Sequence, residues 1–339
     1  SKAAVIQLKN ALQKKPDLAE ARFLLGKALL DEGNPTAADV ELRKAAELKY
    51  PAEQLVPLQA RAMLLLGQPK KIVDDLAKTQ LTSAESTADL QTTVGRAHLA
   101  LGKPEAAQAA FSAAITAVPG YAPALFGQAR IKAAGRDLPG ALALLDSALE
   151  KNPKYYEAMQ FKGDLLALQG DSKASTTVYQ KIVESRPDYL PAHAALVSRH
   201  LESGNIDAAN AQFDTMKKLA PSHPQTHYIQ AELLYRQKKF AEAREPIQQH
   251  LRAIPDSVQG QQLAGSIEYV LKSYATAEKY LLAVLPKTPE TGMARRVLMA
   301  SYLRSGQPDK ALAILQPILG KIDNNSNLLA LAGEVYMQN

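Results

Sequence analysis

Four cations recur at a nearly constant interval in the N-terminal part of the chain. Lys27, Arg61, Arg96 and Arg130 are separated by 34, 35 and 34 residues. An arginine guanidinium is planar and permanently charged, and its parallel N–H donors match a carboxylate or a phosphate. If the fold brings these residues to one face, the series predicts a surface that binds an anionic ligand.

Aromatic residues form a second set of candidates. Phe126 lies four residues before the last cation, and three tyrosines follow in the C-terminal half. Rings of this kind can anchor an apolar side chain or stack on a sugar. The candidate binding residues are these eight: Lys27, Arg61, Arg96, Arg130, Phe126, Tyr228, Tyr235 and Tyr269.

No motif in the sequence predicts catalysis or a bound cofactor. It contains no glycine-rich phosphate loop, no H-E-x-x-H pair and no nucleophile elbow. His223 and His227 have the i,i+4 spacing of two metal ligands on a helix, and His193 lies 34 residues before His227, but a third ligand is not evident. We predict that these histidines are polar surface residues and that the protein is not an enzyme and holds no metal or cofactor.

Composition excludes several further classes of protein. The 339 residues include no cysteine, which excludes a disulfide framework and cysteine catalysis. The net charge of +6 is spread along the chain without a cluster of five Lys or Arg residues, so we expect no nucleic-acid partner. No apolar run approaches the ~18 residues of a membrane span.

Prolines recur at the same interval as the cations and reveal an internal repeat. Six of them are spaced by 34 residues: Pro119, Pro153, Pro187, Pro221, Pro255 and Pro289. A small residue twelve positions earlier keeps the same phase: Ala107, Ala141, Ser175, Ala209, Ala243 and Ala277. A fixed period of this length is typical of a solenoid of stacked units.

One unit, residues 155–187, predicts two helices joined by a tight turn. Ala158, Phe161 and Leu165 form a helical stripe, Gly170 ends it, and a second stripe follows up to Pro187. In the other units glycine marks the same turn: Gly33, Gly67, Gly102, Gly135, Gly204 and Gly306. Lys238 and Lys272 replace it in two units, so we expect those turns to be built differently.

Prolines outside the lattice predict local disturbances. Pro246 and Pro317 fall inside second helices, where proline removes a hydrogen bond and clashes with the preceding turn, so we expect a kink or a break at each. Pro123 and Pro191 fall in a first turn and should cause none. Pro57 suggests that its helix starts late.

The repeat resembles the tetratricopeptide repeat, with small residues at positions 8 and 20, a bulky apolar residue at 24 and proline at 32. The resemblance covers the whole chain. It implies an all-α fold in which about nine complete helix pairs, with a half-repeat at each end, form a right-handed superhelix. We expect residues 1–339 to form one such array and to be a fragment of a longer chain. In such arrays the first helices line a concave groove, and positions 5, 9 and 12 face it. The eight predicted residues would then lie in that groove. Chaperone-binding members use an asparagine at position 9 and a lysine at 5, which this chain lacks.

A closer resemblance is to the tetratricopeptide lipoprotein of bacterial PEP-CTERM/exosortase systems. It rests on three stretches, "AAVIQLKNALQKKPDLAEARFLLGKALLDEGN", "YRQKKFAEAREPIQQHLRAIPD" and "ARRVLMASYLRSGQPDKALAILQPIL". This resemblance implies a periplasmic protein anchored at the outer membrane by a lipid, in exopolysaccharide production or protein sorting. The family's lipidated cysteine has no counterpart here, so the anchor is implied by the resemblance alone.

Two functions remain open from the sequence. The first is a scaffold whose groove captures an extended or helical, acidic segment of a partner protein. The alternative is a carbohydrate-binding module that holds an acidic polysaccharide on the arginines and tyrosines.

Overall fold

The computed structural model describes residues 2–288, 292–322 and 326–339, and these form an all-α protein without a strand. Pro289 of the proline lattice lies outside the described residues. The chain divides into two compact units, Ser1–Val178 and Tyr179–Asn339. Each unit consists of antiparallel helix pairs that pack on their sequence neighbours.

The first unit contains ten helices. They are α1 (Lys2–Lys14), α2 (Ala19–Asp31), α3 (Pro35–Glu47), α4 (Ala52–Leu65), α5 (Pro69–Lys71), α6 (Ala84–Ala100), α7 (Pro104–Ala117), α8 (Ala122–Ala134), α9 (Leu138–Lys151) and α10 (Tyr156–Leu168). A π-helical turn, Ile72–Leu76, continues α5. The division between the units falls within α11 (Ser172–Ser185).

The second unit contains nine further helices in its described part. They are α12 (Leu190–Glu202), α13 (Ile206–Leu219), α14 (Pro224–Arg236), α15 (Phe240–Ala253), α16 (Val258–Val270), α17 (Tyr274–Val284), α18 (Met293–Arg304), α19 (Pro308–Leu315) and α20 (Ser326–Gln338). Across the described ranges α2 to α19 make nine pairs, with α1 and α20 as the half-repeats. The all-α repeat architecture predicted from the 34-residue period is confirmed.

Helices within a pair are held by a bulky residue of the second helix that fits over a glycine of the first. A Cβ atom at Gly95 would lie 2.6 Å from the Phe111 ring, and one at Gly26 would lie 2.7 Å from the Leu42 side chain. Phe111 and Leu42 are fully buried. Dense packing of this kind fixes the separation of the helices, and it therefore fixes where the exposed face of each first helix lies.

The turns at Lys238 and Lys272 have the same geometry as the glycine turns, so the prediction of a different construction is wrong. Their φ angles are 62° and 59°, in the left-handed region that Gly67 adopts at 68°. The Lys238 N–H donates to the Tyr235 carbonyl at 3.0 Å, as the Gly67 N–H donates to the Leu64 carbonyl at 3.1 Å. Packing of the two flanking helices fixes the turn, and the lysine backbone adopts a left-handed conformation that is strained for a residue with a side chain.

Gly135 was also predicted to mark a turn, but it is not in the left-handed conformation. Its φ is −77°, and the next residue, Arg136, takes the left-handed conformation at φ 63°. Arg136 lies 34 residues after Gly102 and 34 before Gly170, so the turn keeps the repeat register and the glycine is displaced by one residue.

The internal prolines give mixed results. Helix α19 ends at Leu315 and the chain continues as a 3-10 helix, Gln316–Lys321, so the break predicted at Pro317 is confirmed. Pro246 lies within the continuous helix α15, so the chain does not break there, and the kink stays a prediction. Pro246 and its neighbour Ile247 are buried, and this burial offsets the lost hydrogen bond.

The remaining prolines lie near helix starts. Pro123 and Pro191 occupy first turns, as predicted. The late start predicted for the helix of Pro57 is wrong, because α4 begins at Ala52. Leu55 and Val56, which precede the proline, are buried and hold that first turn in place. In the described part of the chain, each helix is too short or too polar to cross a bilayer.

Candidate functional site

A groove of about 520 Å³ lies on the first helices of the N-terminal unit. We call it the arginine groove and define it by seven of its lining residues: Arg61, Asp89, Thr92, Arg96, Phe126, Arg130 and Tyr155. The structure thus brings together four of the eight residues predicted from the sequence.

Helix α6 supplies the floor of the groove. Asp89, Thr92, Thr93 and Arg96 are spaced at i, i+3, i+4 and i+7, which places them on one helix face. Gly95, on the adjacent side of α6, packs against Phe111, and Phe111 also lines the groove. This contact fixes the orientation of α6 in the groove.

The neighbouring first helices supply the walls. Arg61 projects from α4, and Phe126 and Arg130 project from α8 with i,i+4 spacing. Tyr155 is the residue that precedes α10. The repeat therefore places one cation per first helix beside the same groove.

None of the three arginines is neutralised by an ion pair. Across the described ranges, no carboxylate oxygen lies within 4.0 Å of Arg61, Arg96 or Arg130. Arg96 donates only a long hydrogen bond, 3.4 Å, from Nη2 to the Tyr155 hydroxyl. The guanidinium groups keep donors for a ligand.

Asp89 and Glu157 are the carboxylates that line the arginine groove, and Asp89 lies on its floor. Burial raises the pKa of Asp89, and the charges of Arg61 and Arg96 oppose that rise without cancelling it. Burial also raises the pKa of Tyr155. A partly buried carboxylate that no cation contacts is energetically costly and is a common sign of a binding site.

The two threonines on the floor differ in their hydrogen bonds. The Thr93 hydroxyl donates to the Asp89 carbonyl at 3.1 Å, the usual partner one turn back in a helix. The Thr92 hydroxyl is buried and has no partner among the described residues. Thr92 is 2% exposed and lines the groove.

An aromatic cluster closes one end of the arginine groove. The Phe126 ring meets the Tyr155 ring edge to face at 5.4 Å between centroids and the Phe161 ring at 5.8 Å. Such contacts fix the Phe126 ring. The groove therefore offers a rigid apolar surface next to its cations.

Lys27, the first of the predicted cations, lies in a separate groove of about 360 Å³ that also contains Glu53, Glu85 and Asp89. The Glu53 carboxylate accepts hydrogen bonds from the Thr82 N–H and hydroxyl, which lower its pKa. Three carboxylates surround one exposed lysine, so the cationic character belongs to Arg61, Arg96 and Arg130.

A third groove, of about 400 Å³, lies in the C-terminal unit, and we call it the tyrosine groove. Its defining residues are Tyr228, Glu232, Tyr235, Arg236, Gln262 and Met293. Burial raises the pKa of Tyr228 and of Glu232. Tyr269, the third predicted tyrosine, is not among the lining residues and packs against Tyr274 with ring centroids 6.1 Å apart.

The histidines make separate structural contacts. His223 caps α14 by accepting the Gln225 N–H at 3.1 Å. His193 is 4% exposed, with Nε2 at 2.8 Å from the Pro187 carbonyl, so the prediction of a surface position is wrong for it. Within the described residues no cluster of three metal-ligating side chains occurs.

Sequence comparison identifies the repeat. Profiles of the tetratricopeptide repeat match residues 19–50, 93–155, 132–199, 195–258 and 292–317. The chain is built from tetratricopeptide repeats. No curated protein sequence matches it.

Solved structures of tetratricopeptide and related proteins share the fold. A tetratricopeptide repeat protein from Parabacteroides merdae is 14% identical with a TM-score of 0.56, over 74% of this chain and 99% of that one. Yeast Tom70 is 13% identical with a TM-score of 0.56, over 98% and 84%. Cut9–Hcn1 of the APC/C is 14% identical with a TM-score of 0.61, over 94% and 76%. At these identities the likeness shows the fold alone.

Several groove residues were not predicted from the sequence. Tyr155 reaches the groove from the start of the next repeat. Thr92 shares repeat position 5 with Phe126, so the register placed it in the groove, but its residue type did not indicate a role in binding. Glu232 shares repeat position 9 with the arginines, and this register could have indicated it. This position carries cations in four repeats of the first unit, and in the second unit it carries Ser198, Glu232, Ser266, Ala300 and Glu334. The repeat position therefore predicts exposure to the groove but not the charge of the residue.

Proposed function

We propose that this tetratricopeptide protein is a non-enzymatic scaffold that binds an extended acidic segment of a partner protein in its arginine groove. The observation that carries the proposal is a set of three guanidinium groups from three successive first helices, none of which pairs with a carboxylate of the described residues. Tetratricopeptide folds are typical of protein–protein interaction, and the related Cut9 was solved in a complex with Hcn1.

Charge and shape favour an acidic peptide with an apolar residue. Successive first helices lie about 10 Å apart in packed helices, so the three arginines span about 20 Å. An extended chain of six residues covers this length. The Phe126 cluster at one end offers an anchor for an apolar side chain, and aligned cations in a concave wall speed the encounter with an acidic chain.

The cellular setting that we propose is the periplasmic face of the outer membrane, in exopolysaccharide production or PEP-CTERM protein sorting. Its support is the resemblance of the three quoted stretches to the lipoprotein of those systems. A lipid anchor would connect such a protein to the membrane.

The test is selection of a random peptide library on the wild-type protein, with counter-selection on Arg61→Ala/Arg96→Ala/Arg130→Ala. We expect enriched peptides to be acidic, to bind the triple variant at least tenfold more weakly and to lose their salt dependence there. The matched control is Lys9→Ala/Lys71→Ala/Lys78→Ala, which removes the same charge from exposed lysines outside the grooves. Equal binding to both triple variants would contradict the proposal.

A second candidate is carbohydrate binding. It is favoured by the tyrosine groove, where two tyrosine rings lie beside amide and carboxylate side chains that can hydrogen-bond to hydroxyl groups. Binding of a fluorescent acidic polysaccharide that Tyr228→Ala/Tyr235→Ala abolishes would favour this function over capture of a peptide.

A further inference from the structure

We propose that the arginine groove accommodates the carboxylate of one Asp or Glu residue of the partner, and that Asp89 and Thr92 make it prefer a carboxylate to a phosphate. This inference rests on the proposed function and deepens it by naming the chemical group that the site selects.

The charge balance of the groove sets the first limit on its ligand. Three arginines and two carboxylates, Asp89 and Glu157, line it, which leaves a formal charge of +1. A carboxylate carries one negative charge, whereas a phosphate ester carries nearly two at neutral pH. The singly charged group therefore matches the groove.

The position of Asp89 sharpens this preference. It lies on the same face of α6 as Arg96, two helical turns before it, and its charge interacts with both Arg61 and Arg96. An anion that pairs with these arginines comes close to Asp89, and like charges at short range repel each other. The repulsion grows with the charge of the ligand, so Asp89 acts more strongly against phosphate than against carboxylate.

Asp89 also offers an acceptor to the rest of the ligand. No ion pair occupies its carboxylate within the described ranges. A peptide carries backbone N–H donors on both sides of its acidic side chain. A bound Asp or Glu residue can thus satisfy the arginines with its carboxylate and Asp89 with a neighbouring N–H.

The unpaired Thr92 hydroxyl is a second observation, separate from the charge balance, that indicates a ligand at the floor of the groove. Its hydroxyl is buried without a hydrogen-bond partner, while the Thr93 hydroxyl one residue later is satisfied. A hydroxyl is one donor on a single rotor. A ligand oxygen that reaches the floor between the arginine side chains would accept that proton.

Three capped octapeptides test the proposal by fluorescence anisotropy. They are identical except at one central position, which is Glu, Gln or phosphoserine, and a Phe follows that position. The wild-type protein should bind the Glu peptide at least tenfold more tightly than the Gln peptide and more tightly than the phosphoserine peptide. Binding of the phosphoserine peptide as tight as that of the Glu peptide overturns the proposal.

Three variants assign the preference to residues. Asp89→Asn should reduce the preference for Glu over phosphoserine by about tenfold or more, because it removes the repulsion. Thr92→Val should lower the affinity for the Glu peptide about three- to tenfold, because it removes one hydrogen bond to the ligand. Thr116→Val, on α7 outside the groove, where the hydroxyl donates to the Ser112 carbonyl, is the matched control and should leave the affinities unchanged. An unchanged preference in Asp89→Asn, or equal effects of the two valine variants, overturns the assignment.

Failure of the inference is distinguishable from failure of the proposed function. If the triple arginine-to-alanine variant abolishes binding of the Glu peptide while Asp89→Asn and Thr92→Val behave as wild type, the scaffold function stands and the selection by Asp89 and Thr92 is wrong. If the Glu peptide does not bind, or binds equally to the triple variant, the proposed function and this inference are both wrong.

Discussion

At the scale of single residues, Thr92 and Thr93 are neighbours of one chemical type with opposite hydrogen-bond states. The Thr92 hydroxyl is buried without a partner, so Thr92→Val should raise the free energy of unfolding by about 1 kcal/mol. Thr93→Val removes a bond to the Asp89 carbonyl and should lower it by about 1 kcal/mol. Urea denaturation of both variants measures the difference, and shifts of the same sign would contradict the assignment.

Asp89, like Thr92, has a side chain that lowers the stability of the folded protein and takes part in the proposed ligand binding. Its pKa is raised in the folded state, so the ionised form is less stable there than in the unfolded chain, and the penalty applies above the folded pKa. Asp89→Asn should therefore be more stable than the wild type at pH 7. The difference should shrink as the pH falls through the raised pKa, and vanish below the ordinary value of about 3.9.

Thermal melts of Asp89→Asn and the wild type between pH 3 and 8 check this prediction. The charged and titratable groups that line the two grooves with Asp89 are Arg61, Arg96, Arg130, Tyr121, Tyr155, Lys27 and the carboxylates Glu53, Glu85 and Glu157. The arginines keep their charge over this range. A stability difference that does not depend on pH would mean that the asparagine acts through packing instead of charge.

At the scale of the helical pair, the lysine turns store strain. Lys238 and Lys272 have φ angles of 62° and 59°, a region that costs a side chain about 1 kcal/mol more than it costs glycine. Lys238→Gly and Lys272→Gly should each raise the free energy of unfolding by up to about 1 kcal/mol. Lys279→Gly, in the exposed interior of α17, is the control and should lower it by about 1 kcal/mol.

Where the two helices of a pair approach closely, replacing a glycine should lower the free energy of unfolding. A methyl group at Gly95 would lie 2.6 Å from the buried Phe111 ring, so Gly95→Ala should destabilise the protein by about 1–3 kcal/mol. Gly333 has no atom within 4 Å of such a methyl group. There Gly333→Ala should stabilise α20 by up to about 1 kcal/mol, and chemical denaturation of the two variants compares them.

These pairs show how far the sequence could predict the structure. The 34-residue period predicted the helices, their pairing and the positions of Arg61, Arg96 and Arg130, because each repeat uses the same local contacts. The period could not predict the turn at Lys238 or the continuity of α15 through Pro246, because burial of neighbouring residues such as Ile247 decides both. Local conformational propensity does not determine the backbone where packing between helices contributes more free energy.

The candidate site shows the same limit. A cation at position 9 of four successive repeats was visible in the sequence, but the surroundings of each cation were not. Lys27 lines one groove with Glu53 and Glu85, which come from different repeats. Arg96 instead donates a hydrogen bond to the Tyr155 hydroxyl. Side chains that converge from neighbouring repeats follow no single sequence spacing, so the charge of each groove required the structure.

At the scale of the whole molecule, a repeat array depends on contacts between neighbours. The arginine groove is lined by residues 61–157, all of which lie in the N-terminal unit. Each unit contains its own buried clusters, such as Ala107, Phe111 and Ala124 in the first and Ala277, Leu281 and Leu298 in the second. In a quasi-one-dimensional fold the stability of a segment is set by its own repeats and their interfaces.

A fragment of residues 1–187, which ends after the helix pair α10 and α11, should therefore fold and keep the arginine groove. We expect its far-UV circular dichroism per residue to match that of the full chain and its affinity for the Glu octapeptide to agree within about threefold. The melting temperature should fall, because the fragment loses the interfaces of later repeats. The same fragment with Arg61→Ala/Arg96→Ala/Arg130→Ala is the control for specific binding. A helical fragment that no longer binds the peptide would show that the C-terminal unit contributes to recognition, since the residues that define the arginine groove would all still be present.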